Sequence, residues 1–288
     1  MAARILEGPP IAERIKTQLK AQISELAAIR PPRLTAILVG DNPGSKFYAK
    51  SQQKDCEELG IGYQLRELPD DIAQAELLEM LSELNADAAV TGIILLVPVP
   101  KHLNARLLQA AIAPEKDVDG VHPANLGCVV RADRTLAPCT AQAAVAVIEE
   151  AGVELKGAEV VIVGHSEIVG KPTALLLMES LATVTVCHIE TRDTAAHCRT
   201  ADIVISAAGV PGLVKADWIK PGALVVDVGI NRVKSEDGKS RVVGDVDPAV
   251  VDVAGILTPV PGGVGCVTAA MLMKNTVAAA ALQARLSA

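Results

Sequence analysis

The stretch 158–179 constrains the fold more than any other part of the chain. Its first residues, rich in Val and Ile, predict a buried parallel strand, residues 164–170 a tight turn, and Lys171 onward a helix with Pro172 in its first turn. Such a turn presents backbone N–H groups and the positive end of a helix dipole, which suits a pyrophosphate. The dinucleotide fingerprint has a second glycine where this chain has Ser166, so the spacing alone also allows a turn that merely joins a strand to a helix.

Composition limits the class of protein. A chain of 288 residues with 50% hydrophobic content is long enough for two domains with large cores. The net charge of −7 argues against nucleic acid as a partner, because phosphate contacts require a basic surface. The six cysteines form no C-x-x-C pair, which suggests neither a metal site nor disulfides. No apolar run approaches a membrane span and no signal peptide is recognisable, so we expect no membrane partner and a cytoplasmic location.

Helices and strands alternate along the first half of the chain. Hydrophobic spacing and turn residues predict helices at 11–29, 46–59, 72–84 and 141–151 and strands at 34–39, 63–68 and 92–97. This alternation is typical of a parallel α/β sheet. Residues 114–127, which are dense in charge, glycine and proline, are predicted to form a loop at a cleft between domains.

The second half of the chain predicts another α/β domain, of Rossmann type. Its expected strands are 158–163, 183–187, 203–206, 224–228 and 255–257. Residues 231–240 form a polar, exposed excursion without a functional signal, and a helix at 268–286 is expected to return and brace the first domain. The predicted domains are therefore 1–145, braced by 268–286, and 146–267.

A series of ordered motifs runs through both halves. They are Val39-Gly40-Asp41-Asn42-Pro43 followed by Tyr48, Gly92-Ile93 through Pro98-Val99-Pro100, Lys116-Asp117-Val118-Asp119-Gly120, Pro138-Cys139-Thr140, Val163-Gly164 with Ser166, and Thr258 through Gly265. With these motifs the chain resembles the methylenetetrahydrofolate dehydrogenase/cyclohydrolase family over nearly its whole length. The resemblance implies an N-terminal folate domain and a C-terminal NAD(P) domain across a cleft, a homodimer, oxidation of methylenetetrahydrofolate to the methenyl form, and hydrolysis to formyltetrahydrofolate.

The resemblance also implies the substrate-binding residues. Tyr48 would stack on the folate, and Asp119 would accept two N–H groups from the amidine-like edge of the pterin. An alternative for Asp119 is a loop carboxylate that bonds to its own backbone, which is common in Asp-Gly turns. Further substrate contacts are expected at Leu96, Pro98, Gly262 and Gly263.

Two positions depart from the family pattern on the substrate side. Family members have a catalytic Lys four residues after the Tyr and a partner Gln in the strand before the Pro-x-Pro turn, whereas this chain has Gln52 and Leu96. A glutamine can neither hold a proton for transfer nor supply a positive charge. Helix geometry places the nearby lysines roughly 120° to 160° around the helix from Tyr48, on a separate stripe; these lysines are Lys46, Lys50 and Lys54.

The substitutions predict a dehydrogenase whose cyclohydrolase activity is weak or absent, in which Tyr48, Gln52 and Asp119 form the catalytic group. Hydride loss from the carbon between two folate nitrogens needs mainly a well-placed nicotinamide, whereas hydrolysis needs an activated water. The alternatives are a fully bifunctional enzyme and a catalytically silent folate or nucleotide binder. A related pterin in place of folate also stays open.

The resemblance implies a dinucleotide site at the ends of the second-half strands. Its expected residues are Gly164, His165, Ser166, Val169, Gly170, His188, Ile189, Glu190, Ala208, Gly209, Gly229 and Ile230. The family suggests NADP, but NADP users tend to have Arg and Ser where this chain has His165 and Ile189, and Glu190 could bind a ribose 2′-hydroxyl, which favours NAD. Arg192 and a protonated His165 could still hold a 2′-phosphate, so both cofactors stay open.

Overall fold

The computed structural model describes residues 2–234 and 240–286. Part of the predicted polar excursion, 235–239, therefore lies outside the described residues. The chain forms two compact units: we call Arg14–Cys139 with Ala269–Ala288 the N-terminal unit, and Met1–Glu13 with Thr140–Thr268 the C-terminal unit. The domain limits expected from the sequence, 1–145 and 146–267, stay a prediction.

Helices and strands alternate along the described residues. Up to residue 151 they are β1 (Arg4–Ile5), α1 (Gly8–Leu26), β2 (Arg33–Val39), α2 (Pro43–Leu59), β3 (Gly62–Leu68), α3 (Gln74–Ala86), β4 (Gly92–Leu95), α4 (Ala105–Ala110), α5 (Pro123–Val130) and α6 (Cys139–Ala151). Beyond residue 151 they are β5 (Glu159–Val163), α7 (Gly170–Glu179), β6 (Thr183–Cys187), α8 (Thr194–Thr200), β7 (Ile203–Ser206), β8 (Leu224–Asp227), β9 (Asn231–Lys234), β10 (Ser240–Val243), β11 (Ile256–Leu257) and α9 (Val264–Leu286).

The N-terminal unit is built on a parallel sheet with the strand order β3-β2-β4. The central strand, β2, is buried along almost its whole length, as expected for an aliphatic strand covered on both faces. A cluster of buried side chains that includes Ile37, Leu77 and Leu108 packs against this sheet. The parallel α/β arrangement predicted from the alternation of elements is confirmed.

The start of α2 differs slightly from the prediction. Asn42, rather than Ser45, caps the helix, and its Oδ1 accepts hydrogen bonds from the N–H groups of Gly44 (2.9 Å) and Ser45 (3.1 Å). Pro43 then occupies the first helical position, where its missing N–H costs nothing. This cap fixes the helix that carries Tyr48 and Gln52.

The C-terminal unit contains a parallel sheet with the strand order β1-β11-β8-β7-β5-β6. The predicted Rossmann-type sheet is therefore confirmed. Because its strands are parallel, the carboxyl ends of β5, β6, β7 and β8 lie at one edge, which is where open α/β sheets bind ligands. The excursion after β8 contains an antiparallel pair, β9 and β10.

The long C-terminal helix α9 begins earlier than the predicted residue 268. Gln283 near its end donates through Nε2 to the carbonyl oxygens of Thr91 (2.8 Å) and Glu115 (2.9 Å) within the N-terminal unit. Among the described residues, α9 is also the one helix long and apolar enough to cross a membrane, although 67% of its most apolar window is buried. The expectation that no apolar run approaches this length is wrong, and the burial is typical of a core helix.

Lys116 stabilises the end of α3 from inside the N-terminal unit. Its side chain is buried, and its Nζ donates to the carbonyl oxygens of Leu84 (3.0 Å), Asn85 (2.7 Å) and Asp87 (2.7 Å). Carbonyl groups in the last turn of a helix lack helical partners, so the ammonium group supplies their donors. Burial lowers the pKa of Lys116.

Replacing Lys116 by methionine is expected to lower the free energy of unfolding by about 3 kcal/mol, because three carbonyl groups lose a charged donor while the aliphatic stem is kept. Urea denaturation followed by circular dichroism measures this change. The control is Lys54→Met at an exposed position of α2, which should change the free energy by less than about 0.5 kcal/mol. Equal losses in the two variants would contradict the role of Lys116.

Candidate functional site

One face of α2 carries two of the predicted catalytic residues one helical turn apart. Tyr48 is half-buried and Gln52 is fully buried. Burial raises the pKa of the Tyr48 phenol, the charges of Cys139 and Asp119 raise it further, and the Gln52 amide lowers it. The structure thus brings Tyr48, Gln52 and Asp119 together in the N-terminal unit.

The Gln52 amide forms no well-oriented hydrogen bond, although it lies close enough to the Tyr48 hydroxyl to lower the pKa of that group. Neither Oε1 nor Nε2 forms a well-oriented hydrogen bond with any residue that the structure describes, although the side chain is 0% exposed. Leaving such a group unpaired costs about 1 to 3 kcal/mol, so it requires an explanation such as a bound ligand or water. The adjacent Gln53 is exposed and donates to Glu57 (2.9 Å), so the unpaired amide belongs to position 52 alone.

Two further residues predicted to bind substrate follow β4. Leu96 is 3% exposed and carries no polar side-chain atom, so position 96 offers no partner to the Gln52 amide. Pro98 is exposed on the next turn, where the Val97–Pro98 peptide bond is cis. Ser45 Oγ donates to the carbonyl oxygen of Val97 (3.3 Å), which holds this turn beside the start of α2.

The lysines of α2 do not replace the missing cation. Lys46, Lys50 and Lys54 are all exposed, as the helical geometry predicted. Lys46 pairs with the exposed carboxylate of Asp41. The stripe therefore faces solvent, on a different side of α2 from the buried Gln52.

A buried carboxylate, Asp117, fixes the loop that carries Asp119. It accepts hydrogen bonds from the N–H groups of Gly120 (3.1 Å) and His122 (2.8 Å) and from Asn125 Nδ2 (2.9 Å). Gly120 has a φ of +77°, and a Cβ there would overlap the Ala137 carbonyl group, so only glycine fits. The predicted loop at 114–127 is thus a closely bonded turn that ends in the helix α5.

The Asp119 carboxyl group is the unsatisfied group of this loop. Burial raises its pKa to about 7, and the neighbouring Asp117 contributes to the rise. No hydrogen bond to the carboxyl group comes from the described residues, whereas its main-chain oxygen accepts from Cys139 N (3.1 Å). Asp119 therefore does not bond to its own loop backbone, and its carboxylate can accept the N–H groups of a ligand.

Two residues that hold this loop in place were not predicted from the sequence. Asp117 is one, and Asn275 on α9 is the other: its Nδ2 donates to the carbonyl oxygens of Val118 (2.9 Å) and Ala137 (2.9 Å). A polar residue on an otherwise apolar helix was the available signal. Cys139 donates through Sγ to Val118 O (3.1 Å), and burial raises the pKa of this thiol, so it packs as a small buried residue.

The glycine turn after β5 is closely packed against a neighbouring loop. A Cβ at Gly164 would overlap the Ala207 carbonyl group, and one at Gly170 would overlap the Gly164 carbonyl group. Ser166, which replaces the second glycine of the fingerprint, uses Oγ to accept the N–H groups of Val169 (3.2 Å) and Gly170 (3.4 Å). Ser166 thus caps the start of α7.

The same turn has donors that fit a dinucleotide diphosphate. The N–H groups of His165 and Ser166 have no acceptor among the described residues, and they lie at the positive end of α7. The His165 ring meets the ring of His188 edge to face, with centroids 5.2 Å apart. Backbone donors, a helix dipole and imidazoles together suit a phosphate group.

The residues predicted to select the cofactor lie on the surface after β6. Ile189 is 93% exposed, and Glu190 is exposed beside it. The Glu190 N–H donates to His188 Nδ1 (3.2 Å), while the His188 N–H donates to Thr191 Oγ1 (2.9 Å). The strand end is therefore ordered by local bonds, and the Glu190 carboxylate is accessible to a ribose.

The loops after β7 and β8 hold the remaining predicted cofactor residues. The N–H groups of Ala208 (2.8 Å) and Gly209 (2.9 Å) donate to the carboxylate of Asp245 and are not available to a ligand. Gly229 also adjoins Asp245, because a Cβ there would overlap its carboxylate, and Ile230 is 64% exposed. Any ligand contact of Ala208 and Gly209 would therefore use their carbonyl oxygens or apolar atoms.

Gly262 and Gly263 pack against the start of α1. Gly8 N donates to the Gly262 carbonyl oxygen (2.8 Å), and a Cβ on Gly8 would overlap the Gly263 carbonyl group. Gly262 has a φ of +99° and a Cβ at Gly263 would overlap the Pro259 carbonyl oxygen, which accounts for the two glycines within the C-terminal unit. Their predicted contact with substrate stays a prediction.

Two family models match the chain. Residues 6–119 match the catalytic domain of tetrahydrofolate dehydrogenase/cyclohydrolase, and residues 138–284 match the NAD(P)-binding domain of the same family. The matched residues contain Tyr48, Gln52 and Asp119 in the first model and the glycine turn in the second.

Individual relatives are similar over nearly the whole chain. The bifunctional protein FolD 2 of Mesorhizobium japonicum is 50% identical over 287 residues, covering 98% of this chain and 92% of its own length. The solved structure of the bifunctional enzyme FolD of Campylobacter jejuni is 42% identical with a TM-score of 0.91, covering 98% and 100%. The methylenetetrahydrofolate dehydrogenase-cyclohydrolase of Trypanosoma brucei, solved with NADP and an inhibitor, is 37% identical with a TM-score of 0.92, covering 99% of each chain.

Proposed function

Because the chain belongs to the tetrahydrofolate dehydrogenase/cyclohydrolase family, we propose that it oxidises methylenetetrahydrofolate to methenyltetrahydrofolate with NAD(P) and hydrolyses the product only weakly. The observation that carries the second half of the proposal is the Gln52 amide, which is fully buried next to Tyr48 and forms no well-oriented hydrogen bond with the described residues. The homodimer and the cytoplasmic location expected from the sequence stay predictions.

The N-terminal unit would bind the folate through two groups. The Tyr48 ring, half-buried on α2, offers an aromatic face for stacking. The Asp119 carboxylate, which nothing described in the structure satisfies, would accept two N–H groups from the pterin edge. Asp117 and Asn275 would keep this acceptor in place through the hydrogen bonds of the loop.

The oxidation makes few demands on the side chains. A dinucleotide held at the glycine turn after β5 would supply the hydride acceptor, and the lone pairs of the two folate nitrogens would stabilise the methenyl cation that is left. No proton has to move, so a glutamine at position 52 does not prevent this step. The residues of the site contribute by orienting the substrate.

Hydrolysis of the methenyl cation requires groups that this site lacks. Water must be activated and the tetrahedral intermediate stabilised, yet Gln52 has no titratable proton and Leu96 has no polar group. The raised pKa of Tyr48 keeps its phenol protonated at neutral pH, so it is a poor base. A slow reaction through a water held by Gln52 is what this site can support.

A fully bifunctional enzyme is the second candidate, because the relatives from Mesorhizobium japonicum and Campylobacter jejuni are named bifunctional. In that case a water bound to Gln52 would act in place of the lysine. The two candidates differ only in the rate of methenyltetrahydrofolate hydrolysis.

For the cofactor, we propose NAD in preference to NADP. The accessible Glu190 carboxylate would accept the ribose 2′-hydroxyl and repel a 2′-phosphate, and neither His165 nor Ile189 supplies a permanent positive charge. The Trypanosoma brucei relative, which was solved with NADP, favours the other cofactor.

The test follows reduced-nicotinamide absorbance after methylenetetrahydrofolate is added, once with NAD and once with NADP. We expect a signal with both and a higher kcat/KM with NAD. A higher kcat/KM with NADP would reverse the cofactor proposal. Ligand binding without any reduced nicotinamide would identify a silent binder instead.

Folate affinity should depend on pH through Asp119. Its pKa is raised to about 7, and only the ionised carboxylate accepts two N–H groups, so the Kd for tetrahydrofolate should be constant above pH 7 and rise toward tenfold per pH unit below it. Titration calorimetry between pH 5.5 and pH 8.5 measures this profile. Asp119→Asn is expected to remove the pH dependence, and an unchanged profile in that variant would contradict the assignment.

A further inference from the structure

Two buried carboxylates that no sequence motif marked lie side by side in the C-terminal unit. Asp227 ends β8 and is 4% exposed, and Asp245 follows β10 and is 0% exposed. Isolated charges in such positions are costly, so a native protein retains them only where hydrogen bonds satisfy them. Here the bonds that satisfy them come from strand ends and loops at the carboxyl edge of the sheet.

Asp245 binds the loop after β7 and the start of β9. Its Oδ2 accepts hydrogen bonds from Ser206 Oγ (3.3 Å) and from the N–H groups of Ala208 (2.8 Å) and Gly209 (2.9 Å). Its Oδ1 accepts one from Asn231 Nδ2 (2.8 Å). One side chain therefore joins the loop after β7 to the start of β9.

Asp227 holds Asp245 in this position. Its Oδ1 accepts the N–H groups of Gly229 (2.9 Å) and Asp245 (3.0 Å), and its Oδ2 accepts that of Val246 (2.9 Å). A Cβ at Gly244 would overlap the Asp227 carboxylate, so this backbone can approach only as glycine. The position of Asp245 is thus set by the end of β8.

The pairing of β9 with β10 explains how a residue so far along the chain reaches this edge. Val243 pairs with Asn231, so β10 ends beside the start of β9, and Asp245 follows two residues after Val243. The pairing of β9 with β10 therefore brings a carboxylate back to the carboxyl edge of the sheet, after a segment in which no functional signal was expected.

The bonds to Asp245 also decide which backbone groups the loop after β7 can offer. In a planar trans peptide the N–H and C=O groups point in opposite directions. Because the N–H groups of Ala208 and Gly209 face the carboxylate, the carbonyl groups of the same peptides, those of Ala207 and Ala208, face away from it. The Ala207 carbonyl group packs on Gly164, so the loop after β7 is also in close contact with the glycine turn.

We infer that Asp245 is a positioning residue of the dinucleotide site: by binding Ser206, Ala208, Gly209 and Asn231 it fixes the loops after β7 and β8 in the conformation that receives the cofactor. This inference rests on the proposed NAD(P)-dependent function. Asp245 acts through the loop backbone and makes no contact with the reacting atoms itself.

The test compares three variants of the full-length protein by titration calorimetry with NAD and with NADP. Asp245→Ala removes all four acceptor contacts and should raise the dinucleotide Kd by about 10-fold or more. Asp245→Asn keeps an oxygen that accepts the loop N–H groups. Its new NH2 group faces Asn231, whose own amide can rotate to present its oxygen. The dinucleotide Kd should therefore rise only about threefold. Asp247→Ala removes a nearby carboxylate that bonds Lys215 and Ala249, and should leave the Kd within about twofold.

Binding of tetrahydrofolate by the same samples separates positioning from general stability. Its Kd should stay within about twofold of wild type in every variant, because a merely structural role would not weaken one ligand selectively. Equal dinucleotide affinities in wild type and Asp245→Ala would overturn the inference, as would parallel losses for both ligands. If Asp245→Ala does not fold, the Asp245→Asn variant decides the question: a dinucleotide Kd equal to that of wild type would overturn the inference. A wild-type protein that binds neither dinucleotide would contradict the proposed function, and the inference with it.

Discussion

Replacement of Gln52 by lysine together with Leu96 by glutamine is expected to raise the rate of methenyltetrahydrofolate hydrolysis by about 100-fold, the usual contribution of a positioned general acid or base. Position 52 is already buried beside Tyr48, so the new ammonium group would lie where the unpaired amide now lies. Burial would lower its pKa toward neutrality, which suits proton transfer. The decay of methenyl absorbance measures the rate.

The matched control is Gln53→Lys, which adds the same charge on the same helix. Gln53 is exposed and bonded to Glu57, so this variant should hydrolyse the substrate no faster than wild type. Dehydrogenase kcat/KM should change by less than about fivefold in all variants, because the hydride step needs no proton transfer. A wild-type rate that already equals that of the double variant would contradict the role assigned to Gln52.

The second large effect is expected from Asp119. Asp119→Ala should raise the KM for methylenetetrahydrofolate about 100-fold, since two hydrogen bonds to a charged acceptor would be lost, at a combined cost of about 3 kcal/mol. The dinucleotide Kd should not change. Asp133→Ala, at an exposed carboxylate of the same unit, serves as the control and should leave both constants unaltered. An unaltered KM in Asp119→Ala would show that another group recognises the pterin.

The buried Asp119 carboxyl group should also lower the free energy of unfolding at neutral pH. Measuring this effect tests the raised pKa of Asp119 independently of ligand binding. Its folded pKa of about 7 lies above the unfolded value near 4, so stability is fully present below about pH 4 and is lost as the pH rises through 7. Asp119→Asn removes this penalty and should unfold at higher urea concentration than wild type at pH 8. Because Asp119 is only half-buried, the expected gain is about 2 kcal/mol rather than the full value of the shift. A gain that does not grow between pH 4 and pH 7 would contradict this.

The fold was predictable because the decisive signals are local. Aliphatic runs bounded by glycine and proline gave the strands of both sheets, and the glycine turn at 164–170 lies where the pattern placed it. Boundaries were less predictable: α2 begins at Pro43 because Asn42 caps it, and α9 begins at Val264. Which of several neighbouring polar residues caps a helix depends on backbone angles that the sequence does not display.

The sequence pointed to candidate site residues only where a motif contained them. Tyr48, Gln52 and Asp119 were named from the sequence and do lie together. Asn275 in the N-terminal unit and Asp245 in the C-terminal unit were missed because their partners lie on other elements. Asp117 was missed although its partners lie within eight residues of it in the chain. Asn275, for example, bonds residues more than 130 positions away. Such contacts follow from tertiary packing, and the available signal was a polar residue in an apolar context.

The most direct test of the account follows both absorbances, of reduced nicotinamide and of methenyltetrahydrofolate, during one reaction with the wild-type enzyme and methylenetetrahydrofolate. If Gln52 supports oxidation but not hydrolysis, methenyltetrahydrofolate will accumulate in a ratio of nearly one to one with reduced nicotinamide and then decay no faster than in buffer. If formyltetrahydrofolate instead appears as fast as reduced nicotinamide and no methenyl intermediate accumulates, the enzyme is fully bifunctional and the proposed consequence of Gln52 is wrong.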